Sequence, residues 1–171
     1  MNASHSAFYY YGIEHLKVNL YYFIKKSESE EQPIYISSQK KIYNSLTSKL
    51  IEAGISEDII HYHSVNNLIL DYRRDKNSLR KKILEKEKLH NGQKIKWIVK
   101  VDYLIKETSK KFFLEWEEKL AEVIKNTNST MLCLYDFEDY MKEQKYIDDE
   151  IIEKSQDTHS HVLYQFSLEE K

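Results

Sequence analysis

Two short runs, Ile34-Tyr35-Ile36 and Met131-Leu132-Cys133-Leu134, carry no charged residue and no residue that prefers water. A strand that is apolar on both sides of its pleat must be covered on both faces, as in a parallel sheet held between helices. Further strand candidates are Ser6 to Tyr11, Ile59 to His63 and Ile95 to Val101. Between them, apolar residues recur at helical spacing: Leu16, Leu20, Phe23 and Ile24; then Ile42, Leu46 and Leu50; then Phe113, Trp116, Leu120 and Ile124 in one long helix starting at Asp102. Strand and helix alternate, which predicts an α/β domain of three layers with a mostly parallel central sheet flanked by helices. The closing run, His161 to Leu168, alternates apolar and polar residues and suits an edge or antiparallel strand, with Glu169-Glu170-Lys171 as a frayed end. A length of 171 residues predicts a single domain over residues 1–171.

Such a sheet commonly holds nucleotides, but the means of holding them is missing. A phosphate loop needs several glycines whose backbone N–H groups wrap the anion, followed by Lys and Ser or Thr at a helix start. Only three glycines occur in the chain, and after the first strand Gly12 stands alone in YYGIEHLKVN, with Glu14 where a phosphate would lie. Hydrolysis of ATP or GTP is therefore not expected, and the chain reads as a non-enzyme with no cofactor. A formal net charge of -2 provides no general attraction to nucleic acid or anionic membranes. The basic stretch from Arg73 to Lys96 is interrupted by acids and reads as a solvated helix face. No run approaches the roughly 20 apolar residues of a membrane helix, and a single cysteine fits a reducing cytoplasm.

The residues that can carry chemistry are scattered. His61 and His63, and His159 and His161, are each two apart, so each pair can share a strand face. No adjacent pattern completes a ligand set, and no metal is expected. Cys133, between two leucines, reads first as a small buried hydrophobe; a nucleophile there needs a base such as His5 or His159 brought close by the fold. Tyr135-Asp136 ends an apolar strand, where open α/β sheets bind ligands. Asp136 can equally cap the helix that follows. Tyr9, Tyr10, Tyr11 and Tyr35 fall near the same sheet edge in this reading, walling an aromatic pocket or simply packing the core.

The order of several pieces resembles the MEDS family, the sensory domain of methanogens, methylotrophs and the DcmR regulator. The pieces are His5 before Phe8-Tyr9-Tyr10, the run PIYISS, the pair Trp116-Glu117, the run Cys133-x-Tyr135-Asp136, and Thr158-His159. The resemblance covers most of the chain and implies a RecA- and KaiC-like fold without the Walker motif. It also implies a role in sensing, with His5, Tyr10, Cys133, Tyr135, Asp136 and His159 as the positions that carry over. Two departures stand out: Ser160 replaces a Pro common after the terminal His, and Lys100 and Asp102 stand where an Arg-bearing strand and Gly-Glu are usual. The expectation is a sensory or regulatory domain that binds an unknown small molecule, or a signalling partner, at the C-terminal edge of the sheet. Phe8, Tyr10, Tyr35 and Tyr135 would wall the site, and His5, Cys133, Asp136 and His159 would contact the ligand. The signal would pass to a separate protein or through a homodimer. The rival expectations are a ligand-independent protein–protein module and an enzyme built on Cys133 or a His metal site.

Overall fold

The computed structural model describes residues 4–29 and 31–171. Its elements are β1 Ser4–Tyr10, α1 Gly12–Ser29, β2 Ile34–Ser37, α2 Lys40–Glu52, β3 Ile60–Tyr62, α3 Val65–Arg74, α4 Ser78–Leu89, β4 Lys96–Lys100, α5 Val101–Glu107, α6 Lys110–Val123, β5 Thr130–Asp136, α7 Phe137–Lys142, α8 Asp149–Thr158, β6 His161–Tyr164 and β7 Ser167–Glu170. Seven strands form one sheet in the order β3-β2-β4-β5-β1-β6-β7. Every neighbouring pair is parallel except β6 and β7, which form an antiparallel hairpin at the edge.

The pleat sorts each central strand onto two cores. On one face Phe8, Ile34, Ile36, Ile98, Leu132 and Leu134 meet Leu16, Leu20, Phe23 and Ile24 of α1 and Leu46 and Leu50 of α2. On the other, Ala7, Tyr35, Trp97, Val99, Met131, Cys133 and Tyr135 meet helices α3 to α6 and α8 through residues such as Ile69, Ile83, Leu104, Phe113, Trp116 and Ile151. These are the three layers that continuous apolar strands require. Among the described residues, no helix is long and apolar enough to cross a membrane.

Four local expectations change. The first strand starts two residues earlier, at Ser4, so His5 lies inside the sheet paired with Met131 rather than ahead of it. The long helix from Asp102 is two helices. Thr108 turns away from helical geometry (φ -125°, ψ -103°), with its hydroxyl bound to the Leu104 carbonyl, and the Ser109 hydroxyl accepts from the Phe112 amide to start α6. A side-chain cap thus interrupts an apolar periodicity that would otherwise run on. The closing strand is also two, because Gln165 and Phe166 adopt positive φ and reverse the chain. The expected frayed end is ordered: Glu169 and Glu170 pair with Val162 and His161, and the Lys171 amide donates to the Ser160 carbonyl.

The turn after β1, where a phosphate loop would stand, holds a carboxylate and an amide already engaged by a side chain. Gly12 has φ +77°, but the Glu138 carboxylate lies 3.7 Å from where its Cβ would be. His15 Nδ1 takes the Tyr11 amide, which a phosphate would otherwise use.

Candidate functional site

Ala7 on β1 stands beside Cys133 on β5, and its single methyl leaves room over the sheet. Into that room come four side chains from distant parts of the sequence. His5 reaches in from β1 and Cys133 from β5. Glu117 descends from α6. His159 enters from the extended residue that ends α8. One ligand-type atom from each lies within 4.8 Å of all the others. The residues are sealed: exposure is 3% for His5, 0% for Glu117, 0% for Cys133 and 4% for His159.

The hydrogen bonds define which atoms face inward. His5 Nδ1 lies 3.2 Å from the Thr158 carbonyl and His159 Nδ1 lies 2.7 Å from the Ser155 carbonyl. A carbonyl only accepts, so both Nδ1 atoms carry the proton and both Nε2 atoms present lone pairs to the interior. His5 Nε2 lies 3.5 Å from Cys133 Sγ and 3.2 Å from Glu117 Oε1. His159 Nε2 lies 3.3 Å from the same Oε1, while the Thr158 hydroxyl donates to it at 2.8 Å. Among the described residues, Glu117 Oε2 and His159 Nε2 have no hydrogen-bond partner. Buried polar atoms are ordinarily paired, so two orphans in one enclosure mark an incomplete network.

Burial governs the protonation of these groups. It holds His5 down to about 4 and His159 well below the usual imidazole range. It raises Glu117 to about 8 against the pull of the Thr158 hydroxyl, and it pushes the Cys133 thiol well up, assisted by Glu117. At neutral pH the contacts between Glu117 and the two histidines are therefore not ion pairs. The thiol and the carboxyl carry protons and the imidazoles are neutral.

The residues expected to form one pocket fall into three neighbourhoods. His5, Cys133 and His159 meet in the enclosure, and the Tyr135 ring stands edge-on to His159 at 5.7 Å. Phe8 and Tyr10 lie on the opposite face of the sheet. Asp136 caps α7, accepting from the amides of Glu138 and Asp139, and burial beside Asp102 and Asp136 keeps the Tyr10 hydroxyl protonated. Tyr35 stands apart, stacked between Trp97 and His61, with its hydroxyl 2.8 Å from His90 Nε2. The His159–His161 pair also separates, since His161 Nδ1 turns to the Ser160 hydroxyl. The expected pocket at the C-terminal edge is thus not a single site, because odd and even residues of β1 face different cores.

Glu117 is not among the residues expected at the site, although it stands in the Trp116-Glu117 pair of the resemblance and a second signal points to it. Phe113, Trp116, Glu117 and Leu120 lie on one stripe of α6, so an acid occupies a core position. The basic helix α4 shares a groove with α6 in which Glu85 and Glu122 alternate with Arg80, Lys81, Lys88 and Lys119. Asp148 and Glu150 bind Lys110 at 2.6 and 2.5 Å, joining the start of α8 to α6.

A mostly parallel sheet between two helical layers makes this a three-layer α/β domain. Two solved structures from Pyrococcus horikoshii OT3 share this fold. One comes from a structural study of project PH0250, with a TM-score of 0.61, 11% identity, and coverage of 98% of this chain and 85% of that one. The other is the KaiC-like protein PH0186, with a TM-score of 0.58, 12% identity, and coverage of 94% and 70%. No curated protein matches. The family model described as MEDS, the methanogen/methylotroph, DcmR sensory domain, matches residues 4–160, and the chain belongs to that family.

Proposed function

We propose that this chain is a non-catalytic sensory domain that receives its input at the enclosure formed by His5, Glu117, Cys133 and His159 and passes it to a separate signalling protein. The observation that carries this reading is the convergence of four chemistry-bearing side chains, with two orphaned polar atoms, in a space sealed by the core. The geometry differs from a nucleophile relay. In a relay the base meets the nucleophile with one ring nitrogen and the acid with the other. Here both Cys133 and Glu117 address His5 Nε2, while Nδ1 goes to the backbone.

The route outward is short. His159 joins α8 to β6, so a change in what its ring binds acts directly on the edge hairpin. That hairpin exposes Tyr164 and Phe166, and Phe166 packs on the exposed Tyr22 of α1 at 4.4 Å. These aromatic residues favour a protein partner as the receiver. They are also the observation behind the second reading, a docking module that needs no input.

Hydrogen exchange on the full chain tests the proposal. Glu117→Gln preserves volume and removes the ionisable group. Under the sensory reading it alters protection in α8, β6 and β7 and leaves α2 and β3 unchanged. Identical exchange throughout the chain, or sustained ATP turnover by the purified protein, overturns it.

A further inference from the structure

Three of the six separations in the enclosure match the edges of a coordination tetrahedron. Zinc holds His nitrogen and carboxylate oxygen at about 2.0–2.1 Å and thiolate sulfur at about 2.3 Å. At tetrahedral angles two such ligands stand about 3.3 Å apart when both are N or O, and about 3.6 Å apart when one is sulfur. The observed separations are 3.2 Å from His5 Nε2 to Glu117 Oε1, 3.3 Å from His159 Nε2 to the same oxygen, and 3.5 Å from His5 Nε2 to Cys133 Sγ. The remaining three pairs lie within 4.8 Å of one another.

We propose that His5, Glu117, Cys133 and His159 form a closed four-ligand site for a divalent metal ion of the zinc class. Three independent features support it. Both histidines donate Nδ1–H to a backbone carbonyl, the outer contact that orients a metal-binding imidazole with Nε2 toward the ion. The Thr158 hydroxyl steadies the Glu117 oxygen in the same way. The ligand charges also suit the ion: a thiolate and a carboxylate neutralise a divalent cation, and the protons these ligands give up on binding leave to solvent. Sulfur with two imidazoles selects zinc over magnesium or calcium, which take oxygen ligands. All four positions belong to the protein, so the ion has no open site for hydrolysis.

The ligand geometry stands without the sensory reading, but the use of the ion as a signal rests on it. The test uses the full chain, unfolded in guanidinium with reductant and chelator, then refolded with one equivalent of Co2+ so that the seal cannot prevent loading. The expected product binds one Co2+, with strong visible bands of tetrahedral cobalt and a near-ultraviolet thiolate-to-cobalt band, and Zn2+ displaces it. Cys133→Ala loses the near-ultraviolet band. Glu117→Gln, which retains the shape of the core, weakens Co2+ by more than about 100-fold, beyond the loss typical of an outer-contact mutation. Absence of cobalt from the refolded wild type, an octahedral spectrum, or unchanged binding in both variants overturns the site. Such a failure, combined with altered exchange in α8 and β6 of Glu117→Gln, leaves the sensory reading intact. Tight Co2+ binding without any change of exchange across α8 and β6 retains the metal and removes its signalling use.

Discussion

Two groups of histidines sit under the same helical layer, and they are built on opposite principles. In one, His61, His63 and His90 surround Tyr35 and Trp97, with ring centroids 4.9 Å apart for Tyr35–His61 and 4.9 Å for Tyr35–Trp97. Lys86 lies over the Tyr35 ring at 5.1 Å, and Lys82 and Glu85 line the same groove as His63 and Trp97. In the other, two imidazoles face a carboxylic acid and a thiol. The first group is aromatic packing beside a mixed-charge groove of Lys82, Glu85 and Lys86. The second is a set of lone pairs and removable protons. Counting histidines does not separate them; the partners of each ring nitrogen do.

The contrast can be broken by mutation. The largest effect is expected from Trp97→Ala, which removes the buried ring on one side of the Tyr35 stack and costs about 3–5 kcal/mol in urea unfolding. A loss below about 1 kcal/mol would mean the stack is not a packing element.

Next comes pH. In the stacked group, burial lowers His63 to about 4 with help from Lys86 and Lys82. A lowered imidazole leaves stability intact above its unfolded value near 6.5 and removes it as pH falls through about 4. The metal-free chain should therefore weaken on the acid side by up to about 3 kcal/mol from this group, a slope that His63→Gln reduces. His5 adds loss of the same sign. Glu117, raised to about 8, has the opposite sign: its contribution is complete below about 4.5 and is lost as pH rises through 8. Glu117→Gln should flatten the alkaline side of the stability profile and leave the acid contribution of His63 unchanged. Chemical denaturation across pH 4–9 reads both.

Zinc sharpens the comparison further. At 100 times its dissociation constant, an ion that binds only the folded chain adds about 2.7 kcal/mol. Thermal unfolding should register that gain in the wild type and in His61→Ala but not in Cys133→Ala. The smallest effect lies outside both groups. Asp136→Ala removes the side-chain cap of α7 and should cost about 1 kcal/mol without altering zinc affinity. A large loss of zinc binding in that variant would assign Asp136 to the site after all.

The sheet was legible because its signals are local. Ile34 to Ile36 and Met131 to Leu134 are apolar at successive positions, and the structure buries them on both faces. Asp136 as a cap followed from an acid between a strand and a polar helix. The break at Thr108 escaped because a cap hydrogen bond outweighed an apolar stripe that continues in register across it. The ordered C-terminal strand escaped because its acids pair through backbone groups, to which side-chain character is a poor guide.

What the amino-acid order determined alone is the alternation of strands and helices and the loss of a phosphate cradle, since glycines and apolar runs act on the backbone next to them. Only the tertiary structure decided that His5 meets Cys133 across 128 residues and Thr158 meets Glu117 across 41. Those encounters depend on which strands become neighbours and which helix face turns inward. Both are set by burial of the whole core rather than by the spacing of any motif.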